Sequence, residues 1–226
     1  MARSRNLSLI RALQLASGTL PVGAYAYSQG LEWAVEANWV NDESALKTWL
    51  REQLMASIAT TDLPILLRLY TAALDEQWLL MDQWSRILIA SRETSELVAD
   101  DCARGNALAH LLCDLGVETA RRWYDCSDTP FAALAALAAV VWDIAPNDVA
   151  TAYCWEWLEG QVLAGVKLIP LGQVAGQRLL FDLSGQIPAA IAHAKNCSDD
   201  DIGATLPLLA IASSLHETQY TRLFRS

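Results

Sequence analysis

The sequence lacks the short motifs that mark most nucleotide-binding proteins and many hydrolases. Its 226 residues contain no GxxxxGK[ST] phosphate-binding loop, no GxGxxG turn and no GxSxG serine elbow. Histidine is scarce, with three in the chain, and Tyr220 stands where a zinc-protease helix beginning at His216 and Glu217 would need its second histidine. These absences predict a chain that is not an enzyme and that holds neither a cofactor nor a catalytic metal.

Two weaker signs of polar chemistry stay open. His110 and Cys113 are one helical turn apart and could ligate a metal, although such a pair more often belongs to an ordinary structural turn. The acidic pair Asp100–Asp101 and the run 199–201 are expected on solvated helix surfaces or at helix starts. No apolar setting should raise the pKa of a carboxyl there.

Positive charge is also in deficit, with 16 Lys and Arg against 26 Asp and Glu and a net charge of -10. Nucleic acid and anionic membranes bind clustered positive charge, so neither is predicted as a partner, whereas a basic protein partner fits. The five cysteines form no CxxC pair, which favours reduced thiols in the cytoplasm. The longest apolar run, 130–142, is shorter than the roughly 20 residues of a membrane-spanning helix. Arg11 interrupts the first apolar run, so we expect no export signal.

Helical periodicity is present along almost the whole chain, and no segment shows the alternation of a strand. We therefore expect an all-α fold, a single domain over residues 1–226 with about ten helices. We expect a break between two helices near residues 92–95. Local signals predict further details: a helix capped by Asn41 or Asp42, helix starts at Thr or Asp before Pro64 and at Ser198, and a kink at Pro170 in a helix from Val149 to Leu183.

The stretch from Ser17 to Glu32, SGTLPVGAYAYSQGLE, interrupts the helical pattern. It holds three glycines, one proline and two tyrosines, although glycine and proline are scarce in helices. Glycine lets the backbone turn and approach a neighbour closely, and tyrosine offers a rigid amphipathic contact. We predict that Tyr25 and Tyr27 contact a partner protein. The alternative is that both fill the fold's own core.

The C-terminal segment 214–226, SLHETQYTRLFRS, mixes aromatic and arginine side chains. This composition is enriched at protein interfaces, whereas disordered chain ends are poor in aromatics. We predict that a partner orders this segment. The alternative is that Leu223 and Phe224 fold back onto the chain's own core.

Three stretches, taken in order, resemble the urease accessory protein family UreF. They are LQLASGTLPVGAYAYSQGLEWAVEANWV at 13–40, VKLIPLGQVAGQRLL at 166–180 and HETQYTRLFRS at 216–226. The helical sequence between them lets the resemblance cover nearly the whole chain. One departure is the alanine-rich segment Ala132–Ala139, where the family pattern carries aromatic and glycine residues.

The resemblance implies a non-enzymatic scaffold in nickel delivery to urease. Such a scaffold binds a UreD-type protein (also called UreH), recruits or gates the nickel-carrying GTPase UreG and docks on apo-urease, with a homodimer left open. Carried over by position, the implied contact residues fall into three groups. They are Tyr25, Tyr27, Ser28, Gln29 and Glu32; Gln173, Gln177 and Arg178; and His216, Glu217, Tyr220, Arg222, Phe224 and Arg225.

Two other functions remain as alternatives. The chain could supply Arg178 or Arg222 in trans to the GTPase, because an arginine finger accelerates hydrolysis by roughly 10³ to 10⁵. An unrelated helical enzyme or a direct nickel chaperone is the other reading, for which three scattered histidines predict weak nickel binding.

Overall fold

The computed structural model describes residues 5–225, which form helices joined by turns, without a strand in that range. One hydrophobic cluster extends from Ala12 in the first helix to Phe224 near the C-terminus, so the predicted all-α fold is confirmed. Within 5–225, no helix combines the length and apolar character needed to cross a membrane. The α-helices are α1 (Arg5–Leu15), α2 (Leu31–Glu36), α3 (Glu43–Gln53), α4 (Leu63–Leu74), α5 (Trp78–Ala90), α6 (Ser95–Asp114), α7 (Phe131–Val141), α8 (Pro146–Leu168), α9 (Gln173–Ser184), α10 (Ile187–Asn196) and α11 (Pro207–His216).

α3 and α4 form one continuous helix, because π-helical turns at Leu54–Asp62 join them. The described part of the chain therefore has ten separate helices, in agreement with the prediction. Asp42 caps α3, its carboxylate accepting a hydrogen bond from the amide of Ala45 at 2.8 Å. The α-helical hydrogen-bond pattern of α4 does begin beside Pro64, at Leu63, but the π turns before it are continuous with it, so this point is not a free helix end. Proline has no amide hydrogen, and it lies where the hydrogen-bond pattern changes from π to α.

The alanine-rich α7 occupies the centre of the fold. Every residue from Phe131 to Ala139 is buried, and the helix packs against α4 and α6. The approach of α6 is close: a Cβ added at Gly105 would lie 1.9 Å from the carbonyl oxygen of Thr129. A helix that is apolar on every side is one that neighbours surround, which accounts for the plain composition of this segment.

The last third of the chain differs from its predicted helices. Pro170 separates α8 from α9 instead of kinking one helix, because the residue before a proline avoids the helical conformation, and Ile169 is extended. The predicted helix start at Ser198 is also wrong. Its hydroxyl donates to Asp201 within a short 3₁₀ turn, and α11 begins later, at Pro207. The sequence analysis did not identify α10.

Candidate partner-binding surface

The irregular stretch 17–32 takes its shape from two glycines. Gly23 precedes the 3₁₀ turn Ala24–Ala26 and Gly30 precedes α2, with φ angles of 78° and 82°. Residues with a Cβ rarely adopt these angles. A Cβ at Gly30 would also lie 2.8 Å from the backbone nitrogen of Ser213. Glycine at this position therefore permits both the turn and the close packing of α11.

The side chains between these glycines point in different directions. Tyr25 is 72% exposed, whereas Tyr27 is buried. Gln29 reaches inward, where its amide nitrogen donates to Asp100 Oδ2 at 2.9 Å and its carbonyl oxygen accepts from Trp157 Nε1 at 3.0 Å. Hydrogen bonds of Gln29 to the interior thus fix the stretch, and Tyr25 is its solvent-exposed tyrosine.

After α11, the residues 217–225, which we call the terminal strap, extend along α2. The amides of residues 223 and 224 donate to the carboxylate of Glu32 at 2.6 and 2.9 Å. The amide of Arg225 donates to the carbonyl oxygen of Ala26 at 2.8 Å, in the 3₁₀ turn. Two segments that are far apart in the sequence therefore form one continuous part of the surface.

His216 lies at the start of the strap and is fully buried. Its Nδ1 is 2.7 Å from Glu96 Oε2 in α6, and its Nε2 is 3.2 Å from Glu32 Oε2 in α2. Glu96 also accepts a hydrogen bond from Arg222 Nη1 at 2.7 Å. An imidazole donates to two carboxylates only when both nitrogens carry hydrogen. The cluster connects the strap to two helices.

The outer side of the strap carries exposed side chains of the types that bind proteins. Tyr220 is fully exposed, Leu223 is 66% exposed, and Arg225 is exposed beside the Ala26 carbonyl that its amide contacts. Phe224 points the other way and is buried. We call Tyr25, Tyr220, Leu223 and Arg225 the strap surface. Tyr220 and Leu223 are three residues apart on the strap, and exposed apolar patches mark interaction sites.

The structure divides the residues that the sequence analysis assigned to partner contacts. One set of them is buried, with side chains that face the chain's own interior: Tyr27, Ser28, Glu32, His216 and Phe224. Gln29 is half-buried. The exposed set is Tyr25, Gln173, Gln177, Arg178, Glu217, Tyr220, Arg222 and Arg225.

α9 presents a second exposed face that the sequence analysis identified only in part. Arg178 pairs with Glu43 of α3 at 3.2 Å, and Gln177 is exposed beside it. Val174 and Phe181, which the sequence analysis missed, are 71% and 82% exposed. Spacings of three and four residues place these side chains on one side of the helix. The signal available in the sequence was the spacing of Val174 and Phe181, two apolar residues on the same helix side as the polar Gln177 and Arg178.

Buried ion pairs connect the interior elements beneath the irregular stretch. Arg92 Nη2 lies 2.6 Å from Asp62 Oδ1 and 2.7 Å from Asp101 Oδ2, and Arg104 Nη2 lies 2.6 Å from Glu156 Oε2. Burial lowers the pKa of each arginine, but the neighbouring carboxylates outweigh burial and raise it. Both arginines therefore remain charged.

Asp100 corrects the expectation that the acidic pair at 100–101 is solvated. Both carboxyls are buried, and burial raises the pKa of Asp100 to about 6, although the positive charge of Arg104 and the hydrogen bond from Gln29 oppose the change. Among the described residues, Oδ1 of Asp100 has no hydrogen-bond partner. The carboxyl lines a cavity of about 60 Å³.

Other groups with potential chemistry are held in structural contacts. His110 stacks on Tyr124 with ring centroids 3.9 Å apart, and its Nε2 lies 2.7 Å from the carbonyl oxygen of that tyrosine. Burial raises the pKa of the Cys102 thiol to about 11 and of the Cys154 thiol to about 12. Within 5–225 no three His, Cys, Asp or Glu side chains are grouped so that they could hold a metal ion.

Comparison with known proteins agrees with the resemblance of the three stretches. The UreF family model matches residues 40–184, more than half of the chain. Similar curated proteins carry the name urease accessory protein UreF. The one from Pseudomonas putida (strain GB-1) is 49% identical over 98% of this chain and 99% of its own length. Those from Alkalilimnicola ehrlichii and Enterobacter sp. (strain 638) are 46% and 40% identical and cover 96% and 98% of the chain.

The chain belongs to the UreF family. The family model covers α3 to α9, and the nearly full-length relatives extend the similarity over the irregular stretch and the terminal strap. The all-α fold and the paired N- and C-terminal segments are therefore features of a UreF protein, and the exposed strap surface is this UreF chain's candidate site for partners.

Proposed function

We propose that the chain is a non-catalytic scaffold in the maturation of urease. In this role it binds a UreD-type protein through the strap surface, recruits or gates the nickel-carrying GTPase UreG in the cytoplasm, and brings both to apo-urease. The names of its relatives support an accessory role. The observation that carries the contact is the exposure of Tyr220 and Leu223 on a strap whose backbone is fixed by Glu32.

A fixed strap favours tight binding, because a segment that is already ordered loses little conformational entropy when a partner docks. The buried members of the implied contact set take part indirectly in this scheme. Glu32 and His216 hold the strap, and Phe224 anchors it by burying its ring. Their role is to position the strap surface.

The exposed face of α9 is the natural place for a second contact. Val174 and Phe181 flank Gln177 and Arg178 on this face, which therefore joins apolar and polar groups, as protein interfaces do. We assign it to a further member of the assembly. A second copy of this chain, which would form a homodimer, is the other occupant to be tested.

The scaffold role is favoured over direct catalysis by an arginine. Arg222 is bonded to Glu96, and Arg178 is paired with Glu43. An arginine that stabilises a transition state in trans must leave such a partner, whereas a scaffold uses the pairs as they stand.

Co-expression with UreD-type and UreG-type proteins, followed by size exclusion, tests the proposal. The wild-type chain should co-elute with both. Tyr220→Ala and Leu223→Ala should each weaken the UreD-type contact roughly thirtyfold, since the loss of a central anchor costs about 2 kcal/mol or more. Leu79→Ala is the matched control, because Leu79 is a 76% exposed leucine on α5.

Both variants should keep the helix content and melting temperature of the wild-type chain, because the deleted side chains make little contact with its core. If a variant with both substitutions, Tyr220→Ala and Leu223→Ala, binds the UreD-type protein as tightly as the wild-type chain, the strap surface is not the contact. An equal loss caused by Leu79→Ala would show that the effect is not specific to the strap.

A further inference from the structure

Among the described residues, the carboxylate of Glu32 contacts three nitrogens of the C-terminal part of the chain. Oε1 accepts from the amide of Leu223, and Oε2 accepts from the amide of Phe224 and faces His216 Nε2. Hydrogen bonds from N–H groups to an ionised carboxylate are among the stronger ones in proteins. The side chain of Glu32 is 8% exposed, so water competes little. Glu32 therefore holds the end of the chain against α2.

His216 determines what this carboxylate faces on its remaining side. The contact between Nδ1 and Glu96 is 2.7 Å, and the contact between Nε2 and Glu32 is 3.2 Å. A neutral imidazole has one N–H and one acceptor nitrogen. If the shorter contact keeps its hydrogen, the lone pair of Nε2 faces Oε2 of Glu32. Two acceptors at this distance repel, and the repulsion acts on the group that holds the strap amides.

We infer that Glu32, His216 and Glu96 form a proton-dependent latch for the terminal strap. With His216 protonated, the strap lies docked on α2, and loss of the proton weakens its attachment. The carboxylates of Glu32 and Glu96 are then left with Arg222 as their one cationic partner among these contacts, which is unfavourable where they are buried. The charged groups that face the latch or the strap are Glu32 and Glu36 from α2, Glu96 from α6, Arg222 from the strap and Lys167 from α8, which lies over the Phe224 ring.

The latch is a property of the isolated chain, so it can hold or fail independently of the proposed function. If the strap surface does bind a partner, the affinity should inherit the pH dependence of the latch. A partner protein is therefore not needed for the test.

Hydrogen exchange of the full-length chain measures strap docking directly. Exchange is followed between about pH 5 and about pH 9, the range in which histidine changes charge, and corrected for the intrinsic pH dependence of amide exchange. Protection of the amides of Leu223 and Phe224 should fall about tenfold across the titration, the effect of one charge-assisted hydrogen bond. Protection of amides in α7 should stay constant.

A glutamine in place of His216 imitates the neutral imidazole, because it offers one donor group and one acceptor group and carries no charge. His216→Gln should show weak strap protection that does not depend on pH. His193→Gln is the matched control, because His193 is exposed on α10, and it should keep the wild-type profile. Strap protection in His216→Gln that equals the wild-type value at low pH would overturn the latch.

A measurement on the wild-type chain covers the case in which His216→Gln does not fold. The ring of His216 and the amide of Phe224 are followed together by NMR during a pH titration. The latch requires both signals to change with the same midpoint. Different midpoints, or a Phe224 amide that does not respond while the ring titrates, would contradict it.

Discussion

Replacement of Asp100 by asparagine should stabilise the protein at neutral pH. The carboxyl is buried, and its pKa is raised by burial from 3.8 to about 6. Between about pH 4 and about pH 6 the native state holds a proton that the unfolded chain has already released. The free energy of unfolding therefore decreases as the pH rises through this window, and the loss from this carboxyl is complete above it.

The magnitude follows from the size of the pKa change. At about 1.4 kcal/mol per pKa unit, a rise of about two units corresponds to about 3 kcal/mol at pH 7. Asparagine has nearly the same shape, and its carbonyl oxygen can accept the hydrogen bond that Gln29 donates to Oδ2. Its amide nitrogen would take the place of Oδ1, which has no partner among the described residues. The substitution thus removes the charge and retains the hydrogen bond.

Urea unfolding of both proteins from about pH 4 to about pH 8 tests this reasoning. The difference in unfolding free energy, Asp100→Asn minus wild type, should be smallest at low pH, grow in favour of the variant and level off near pH 7. The difference is the useful quantity because other carboxyls affect both proteins equally. Asp200→Asn, at an exposed position, should give a flat difference. A flat difference for Asp100→Asn would refute the burial argument.

Three further predictions concern the candidate surface and its rivals. Gly30→Ala should lower the free energy of unfolding by about 2 kcal/mol or more, because φ is 82° and a Cβ would press on the backbone of α11. Gly172→Ala is the control: a Cβ there has open space, so thermal unfolding should be nearly unchanged. Phe224→Ala should lower the free energy of unfolding by about 3 kcal/mol and make the strap sensitive to trypsin. Stability and proteolysis equal to those of the wild-type chain would show that the Phe224 ring does not hold the strap. Arg178→Ala should leave single-turnover GTP hydrolysis by a UreG-type protein unchanged, and a drop of about 10³ would support the arginine in trans.

The fold was largely predictable because its helices follow apolar periodicity. Asp42 and the break before α6 carried clear local signals, and the structure confirms both. The signal at Pro64 marks the first turn of α4, although inside a continuous helix, and the equally clear signal at Ser198 failed. A helix-start signal states a local preference, and the π turns at Leu54–Asp62 show that a long helix can absorb a proline.

The buried charges were harder to predict because paired charges inside a protein resemble solvated ones in sequence. Asp101 shares a helix face with Gly105, Leu108 and Leu112, all of which are buried, so the periodicity of α6 did contain the signal. The partner of Asp101, Arg92, lies outside the helix, in the turn before α6. The position of a partner in a turn depends on tertiary packing, which a single sequence does not reveal.

The composition of the terminal segment predicted an interface, but it did not predict which of its side chains are exposed and which are buried. Leu223 and Phe224 are neighbours in the sequence, yet one is 66% exposed and the other 7%. Their amides both bond to Glu32, which holds a bend in the backbone at these two residues. The predicted return to the core is therefore confirmed for Phe224 and is wrong for Leu223, whereas contact of this segment with a partner stays a prediction. Burial of Phe224 keeps the neighbouring Leu223 on the surface of the chain.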